Sequence, residues 1–406
     1  MNLKRRTDGG EGPARPKLPA TVIGLGIVSL LTDVSSEAIV PLLPVFLVSS
    51  LGATKTFVGA VEGVAELVSS ALKYGSGVMA DRRARLKPMV LIGYGVSTII
   101  RPLMGFVMVP WQALAVRVFD RVGKGVRTSP RDAMIADTAD PSIHGRAFGF
   151  HRAMDHAGAA IGTMLSAGLL WLLVAGVGKS QVDAMRIIFL LAAVPGVAAV
   201  IALALTPEPP RILQASPRAT APARPLGGLG SVLAAVVLFA FANATDFFLL
   251  LKLNEIQPVA ALAPLLWLTL HMVKASLATA GGRLADRFGK RNLLTAGWTA
   301  YALTWGAIGF ADSTAQLFVL TAVYGVSHGL VEGAEKALVA EYAGGRRGLT
   351  FGKYNMSIGL ASLAGNVAFG AVWDSWGSLV AFAGSASVAV LAVITLRLFV
   401  RPPRAP

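Results

Sequence analysis

Long apolar runs, broken at regular intervals by short polar stretches, organise this chain from residue 20 to residue 399. At a rise of about 1.5 Å per residue, some twenty helical residues cross the ~30 Å hydrocarbon core of a bilayer. The pattern predicts twelve such helices: 20–49, 55–80, 87–109, 111–139, 145–176 and 185–206, then 230–254, 258–284, 289–310, 314–342, 346–373 and 377–399. Between the sixth and seventh, Pro207, Pro209, Pro210, Pro217, Pro222 and Pro225 punctuate a stretch with no sustained apolar run, the composition of a linker. The expected organisation is an N-terminal tail at 1–19, a six-helix bundle at 20–206, a linker at 207–229, a second six-helix bundle at 230–399 and a C-terminal tail at 400–406. The fold class is all-α, a membrane protein of twelve transmembrane helices in two pseudo-symmetric bundles.

Composition agrees with that pattern. The chain is 54% hydrophobic and 15% charged, with a formal net charge of +15. In a soluble protein such an excess would point to nucleic acid; here its location gives another reading. Lys4, Arg5, Arg6, Arg15 and Lys17, then Arg82, Arg83, Arg85 and Lys87, Arg146, Arg211, Arg218, Arg224, Arg287, Lys290, Arg291, Arg346, Arg347, Arg401 and Arg404 all fall on one side of the predicted spans. The other side receives Lys55, Lys179 and Arg186. The positive-inside rule therefore puts both termini on the cytoplasmic side of the membrane, with the lipid bilayer rather than nucleic acid as partner. A signal peptide fits the N-terminus less well, because Asp33 and Glu37 interrupt its apolar run. With no cysteine, disulfides and thiolate metal sites are excluded.

Charge at bilayer depth is costly unless paired or facing water, so it marks candidate functional groups. The fourth span carries Arg117, Asp120, Arg121, Lys124, Arg127, Arg131 and Asp132. On a helix turning roughly 100° per residue, Arg121, Lys124 and Arg131 lie within about 40° of Arg117, forming a cationic stripe. Three readings are open: an anionic substrate site, neutralisation of nearby acids, or a lower end that reaches the cytoplasm, as expected for Arg131. Asp33 and Glu37 share a face of the first span, and Glu62 and Glu66 share one in the second, with Lys73 beneath Glu66. The fifth span adds Arg152, Asp155 and His156. Asp33, Glu37, Glu62, Glu66, Asp120 and Asp155 stand against Lys73, Arg101, Arg117, Arg121, Lys124, Arg127 and Arg152, six against seven. That balance favours an internal near-neutral network over a bare anion site. Asp33 and Glu37 are the first candidates for proton or cation binding; the alternative is a structural ion pair with the stripe. Gly123, Gly125 and Pro130 are expected to loosen the fourth helix.

The halves repeat. Gly77, Asp81 and Arg82 after the second span recur as Gly282, Asp286 and Arg287 after the eighth, at an offset of 205. Thr32-Asp33 recurs as Thr245-Asp246, and Phe148-Gly149 as Phe351-Gly352. Repeat symmetry places His271 opposite Glu66, as a coupling group or a packing histidine. Glu332 and Lys336, i and i+4 in the tenth span, are expected to pair. Two six-helix repeats about a linker is the arrangement of rocking secondary transporters.

These motifs resemble the major facilitator superfamily. Its G-x-x-x-D-R-x-G-R-[KR] loop motif is nearly complete at Gly282, Asp286, Arg287, Gly289, Lys290 and Arg291; in the first copy Ala84 replaces the second glycine. The resemblance implies that both copies latch the cytoplasmic ends of neighbouring helices, that an acid on the first helix handles protons, and that the protein is a monomer. The stretches Thr32–Glu37, Glu62–Glu66, Asp120–Asp132 and Glu332–Lys336 also resemble a bacterial subgroup, mostly of unassigned substrate, related to magnetosome-associated permeases. The antiporter signature of the superfamily keeps Gly158 and Gly162 but has Thr163 in place of its proline.

The resulting expectation is a secondary transporter that moves a small molecule or ion by alternating access, coupled to protons, with efflux favoured over uptake. A non-transporting receptor or sensor on the same fold, and an iron or metal permease, are the alternatives. No nucleophile and base share a defensible spacing, so no enzyme is expected, and neither is a cofactor or a resident metal. Gly123-Lys124-Gly125 lacks the spacing of a phosphate loop.

Overall fold

The computed structural model describes residues 17–140, 143–208, 228–342 and 347–400, and every regular element among them is helical. Twelve crossings account for all of it. In the first half these are α1 (Ala20–Glu37, continued by Leu43–Val45 and Phe46–Ser50), α2 (Lys55–Ala80), α3 (Lys87–Ile100, continued by Arg101–Phe106), α4 (Pro110–Thr138), α5 (His144–Trp171, continued by Leu172–Gly176) and α6 (Gln181–Leu191 and Ala193–Leu205). In the second half they are α7 (Leu229–Ala242 and Phe247–Ile256), α8 (Leu262–Phe288), α9 (Lys290–Gly309), α10 (Thr314–Glu341), and α11 and α12, which share the helix Arg347–Phe399. Residues 1–16, 209–227 and 401–406, most of the tails and of the central linker, lie outside the described residues. We call the side where α1 begins and α12 ends the terminal face.

Local chemistry starts and stops these helices. Thr54 caps α2, its hydroxyl accepting from the Phe57 amide at 3.1 Å, and Ser180 caps α6 through the Asp183 amide at 3.1 Å. Two expected spans, 346–373 and 377–399, follow one another without a loop, the chain turning between the two helices at Gly377. The φ of +87° there is open to glycine at little cost. The seventh span departs from its expected continuity: α7 unwinds at residues 243–246. Its freed backbone finds partners. The Ala242 carbonyl accepts from the Tyr301 hydroxyl at 2.9 Å and from the Ser385 hydroxyl at 2.6 Å, and the Thr245 amide donates to the Asn366 side chain at 2.7 Å. Irregular backbone at membrane depth survives only where protein or a cavity satisfies it.

Among the described residues, seven helices are long and apolar enough to cross a membrane by length and composition alone, the last of them the 48-residue stretch Gly352–Phe399 that bends back on itself. The charged α2 and α4 owe their place to company. Outward-facing Ile92, Ile99, Trp171, Leu205, Leu303 and Phe310 form the apolar exterior expected against lipid. Inside, the second bundle is held by an aromatic stack in which Trp298 lies on Phe239 at 4.4 Å and Trp305 on Tyr301 at 5.3 Å.

The bundles meet along two helix pairs, α2 with α11 and α5 with α8. In the first seam, a Cβ added at Gly59 would strike the Asn366 carbonyl, one at Gly63 the Leu363 backbone, and one at Gly370 the backbone of Lys55 and Thr56. Absent side chains let the two backbones touch.

Candidate functional site: the central cavity

Between the bundles lies a cavity of about 620 Å³. It runs from Val40 and Phe247 at mid-depth to Lys73, Arg131 and Asp132 near the terminal face. Asp33, Glu37, Glu62, Glu66, Arg117, Arg121, Lys124, Arg127, Arg152, Asp155, Asp246 and His271 all line it.

The α4 cations are held by acids of α2 and of α4 itself. Arg117 donates to Glu62 at 2.5 Å and lies 3.8 Å from Asp120. Arg101 of α3 binds Asp120 at 2.8 Å and donates to the Thr32 carbonyl at 3.1 Å. Arg121 reaches the second oxygen of Glu62 only at 3.7 Å. Arg127 has no carboxylate within ion-pairing reach among the described residues; it donates to Ser97 at 2.7 Å and stacks over Tyr94 at 4.4 Å. Near the terminal face Arg131 pairs with Asp132 at 2.8 Å, and Glu66 with Lys73 at 3.6 Å.

Glycines place the stripe. Gly123 lies against the Gly93 carbonyl of α3, and Gly125 against the Ser69 carbonyl of α2, so α4 is squeezed between both while Lys124 faces the cavity. The expected loosening is not seen: α4 is continuous from Pro110 to Thr138 through Pro130. The glycines serve close packing.

The acids of α1 make no direct ion pair with this stripe among the described residues, although Asp33 stands near enough to Lys124, and Glu37 to Arg117, to interact through space. Glu37 instead accepts from the Trp267 indole across the bundle interface at 2.7 Å, and Trp267 packs on His271 at 4.7 Å between ring centres. Asp33 has no hydrogen bond or ion pair at its carboxylate among the described residues, although it lines the same space. α1 and α4 do touch, and Arg101 bridges them by holding Asp120 and the Thr32 carbonyl. Asp155 of α5 is met by Ser29, by His151 at 3.5 Å and by Arg152 at 3.9 Å.

The second bundle contributes one ion pair at this level among the described residues. Asp246, at the unwound point of α7, binds Lys274 at 2.7 Å and accepts from Tyr324 at 2.7 Å.

The sequence profile of the Major Facilitator Superfamily matches residues 25–272 and 261–406. The chain belongs to the major facilitator superfamily. It is 31% identical over 401 residues to an uncharacterised MFS-type transporter of Methanocaldococcus jannaschii, covering 95% of this chain and 96% of that one. It is 25% identical over 347 residues to the multidrug resistance protein MdtH of Klebsiella pneumoniae, covering 82% of each. Among solved structures, a bacterial homolog of the human lysosomal transporter Spinster, inward-facing and occupied, superposes with a TM-score of 0.77 at 16% identity, over 97% of this chain and 100% of that one. The nucleoside transporter NupG superposes with a TM-score of 0.72 at 13% identity, over 94% of this chain and 100% of that one. These two speak to the fold alone. The protein is thus a multi-pass membrane transporter of a small molecule, not an enzyme.

In this facilitator the loop motifs lie away from the cavity. Asp81 and Arg82 are exposed just past α2, and Gly77 faces Ser129 of α4. In the second copy, the side chains of Gly282 and Asp286 lie outside the described residues. Arg287 stacks over Phe288, Gly289 makes the turn with φ +83°, Lys290 pairs with Glu341 of α10, and Arg291 donates to the last carbonyls of α12 at Leu396 and Arg397. Glu332 is likewise outside the described side chains, and Lys336 is exposed and does not line the cavity. Sequence reasoning left Trp267, Lys274, Tyr324 and Asn366 out of the candidate site. Lys274 alone carried a signal, a charge within a span; the others are ordinary membrane-helix residues until their partners are known.

Proposed function

We propose that this protein is a proton-coupled secondary transporter that works by alternating access in a bacterial inner membrane, with both termini cytoplasmic and the protein acting as a monomer. The observation that carries the coupling is Asp33: a carboxylate in the central cavity, on the helix that faces the cationic wall, free of ion partners among the described residues. A carboxylate so placed exchanges a proton with whichever side the cavity opens to. The cationic loops support the orientation. With the terminal face inside, the structure is inward-facing: the cavity extends toward that face, while Asp374 to Thr56, Asn254 to Ser49 and Gln181 to Ala260 join the bundles at the other. The likeness to the Klebsiella multidrug resistance protein supports export. The motifs at Thr32–Glu37 and Asp120–Asp132 remain the basis for assigning the chain to the subgroup related to magnetosome-associated permeases.

The test is proton flux in proteoliposomes loaded with a pH-sensitive dye, scanned against a library of small solutes. A solute that moves protons with the wild type and not with Asp33→Asn supports the proposal. Solute-driven proton movement that survives the substitution overturns the coupling assignment.

A further inference from the structure

We infer that the solute carried by this protein is an organic anion whose carboxylate or phosphate oxygens dock on Arg121 and Lys124. The inference rests on the reading of the central cavity as the transport path.

The argument starts from what the acids of the first bundle are already doing. Glu62 gives one oxygen to Arg117 at 2.5 Å, and its other stands 3.7 Å from Arg121, beyond hydrogen-bond range. Asp120 is bound by Arg101 at 2.8 Å and approached by Arg117 at 3.8 Å. Glu66 is met by Lys73 and accepts from Ser70 at 3.2 Å. The Nε of Arg121 is buried without a protein acceptor among the described residues. Lys124 donates to no described residue, and Asp33, the free acid across the cavity, is not within ion-pairing distance of it.

Arg121 and Lys124 are i and i+3 on one helix, so their donors converge on one patch of the cavity wall. Five guanidinium and three ammonium N–H groups meet there with a single distant acceptor among the described residues. Around this patch Arg101, Arg117 and Arg127 are the neighbouring cations, while Glu62, Glu66 and Asp120 are already engaged by Arg117, Lys73 and Arg101. The cavity wall is nearly neutral as a whole, yet the Arg121 and Lys124 donors have no acid in hydrogen-bonding contact among the described residues, and donors left open at membrane depth call for an acceptor. An oxyanion offers several lone pairs in the plane that a guanidinium fork matches, with a lysine as a second point of contact.

The opposite wall gives the rest of the solute its character. Trp267, Tyr324 and Phe247 of the second bundle line the cavity, with the Asn366 amide among them. An organic body suits this wall, and the cavity volume suits a small molecule.

The test uses the full-length protein in nanodiscs, with matched probes of one carbon skeleton: benzoate and phenyl phosphate against benzamide and benzylamine, extended to larger aromatic and aliphatic sets. Thermal stabilisation is the readout. Stabilisation by anionic members alone, weakened at least tenfold in apparent affinity by Lys124→Gln and restored by Lys124→Arg, is expected. The Lys124 ammonium makes no hydrogen bond or ion pair among the described residues, so Lys124→Gln should fold as the wild type does; Arg121→Lys provides a second variant that keeps the charge near Glu62 and loses the fork. Stabilisation by neutral or cationic members, indifference of anion binding to Lys124→Gln, or no stabilisation across the sets would overturn the inference. The two readings separate in proteoliposomes. Transport of a neutral or cationic solute that needs Asp33 but not Lys124 keeps the transporter and removes the anion site. Anion binding that needs Lys124, without proton-coupled flux, does the reverse.

Discussion

Asp374 of the second bundle holds Thr56 of the first at two points, accepting from its amide at 2.8 Å and its hydroxyl at 2.7 Å. The same carboxylate accepts from the Lys55 amide at 3.0 Å, so a residue at the end of α11 caps the first turn of α2. A helix start is fastened across the domain boundary, on the face opposite the termini.

That capping should bias the conformational equilibrium. Losing an N-cap acceptor costs about 1 kcal/mol, roughly a fivefold change in a two-state ratio. Asp374→Ala is expected to shift the population away from the state seen here by about that factor. Distances between spin labels placed across the face opposite the termini would show it; an unchanged distribution would mean that the cap does not distinguish the two states.

The buried pairs of α4 should differ sharply in worth. Arg117 sits tightly on Glu62, and its removal leaves a buried carboxylate without its partner, a change of about 3–5 kcal/mol. Arg117→Ala is expected to lower thermal stability strongly, with Glu62→Gln added to it restoring part of the loss. Arg121→Ala, at 3.7 Å from the same acid, should cost clearly less. Melting curves of the three variants and the wild type decide it, and equal losses for the two arginines would contradict this geometry.

The glycine seam makes a steric prediction. Gly59→Val and Gly63→Val put branched side chains where the Asn366 carbonyl and the Leu363 backbone stand, so both should abolish flux. Gly75→Ala is the control, because nothing lies within 4 Å of its new Cβ. An alanine there should keep flux and, by helix propensity, add up to about 1 kcal/mol of stability. Full flux in Gly59→Val would mean that α2 and α11 need not touch during the cycle.

The pH dependence of flux follows from Asp33. With the carboxylate replaced in Asp33→Asn, solute exchange at equal concentrations should persist while accumulation against a gradient is lost. Counterflow and gradient-driven uptake into vesicles measure the two separately. Retained accumulation would move the coupling role to another acid.

The twelve crossings were legible because span length and apolar periodicity are local properties, and the repeat gave the two bundles. What could not be read were partnerships between distant helices. Glu37 and Trp267 are 230 residues apart, and Asp246 and Lys274 come from different helices, so no spacing rule links them. The pairing of α1 acids with α4 cations was a count of charges, and a count does not say which side chains reach one another across neighbouring helices. The break in α7 was equally hidden, because its replacement partners Tyr301, Asn366 and Ser385 lie on three other helices.

Among the described residues, every lysine and arginine lining the cavity belongs to the first bundle, and Asp246 is the single acid there from the second. Lys73, Arg101, Arg117, Arg121, Lys124, Arg127, Arg131 and Arg152 face Asp33, Glu37, Glu62, Glu66, Asp120, Asp132 and Asp155, eight cations against seven acids. Along the cavity wall the membrane potential therefore acts on fixed charges whose sum is close to zero. Each elementary charge carried through 100 mV is worth about 2.3 kcal/mol, so an unloaded wall that swings through the field does little electrical work. A proton on Asp33 alone raises that work. An anion arriving with the proton restores the original count, and the loaded carrier turns as freely in the field as the empty one.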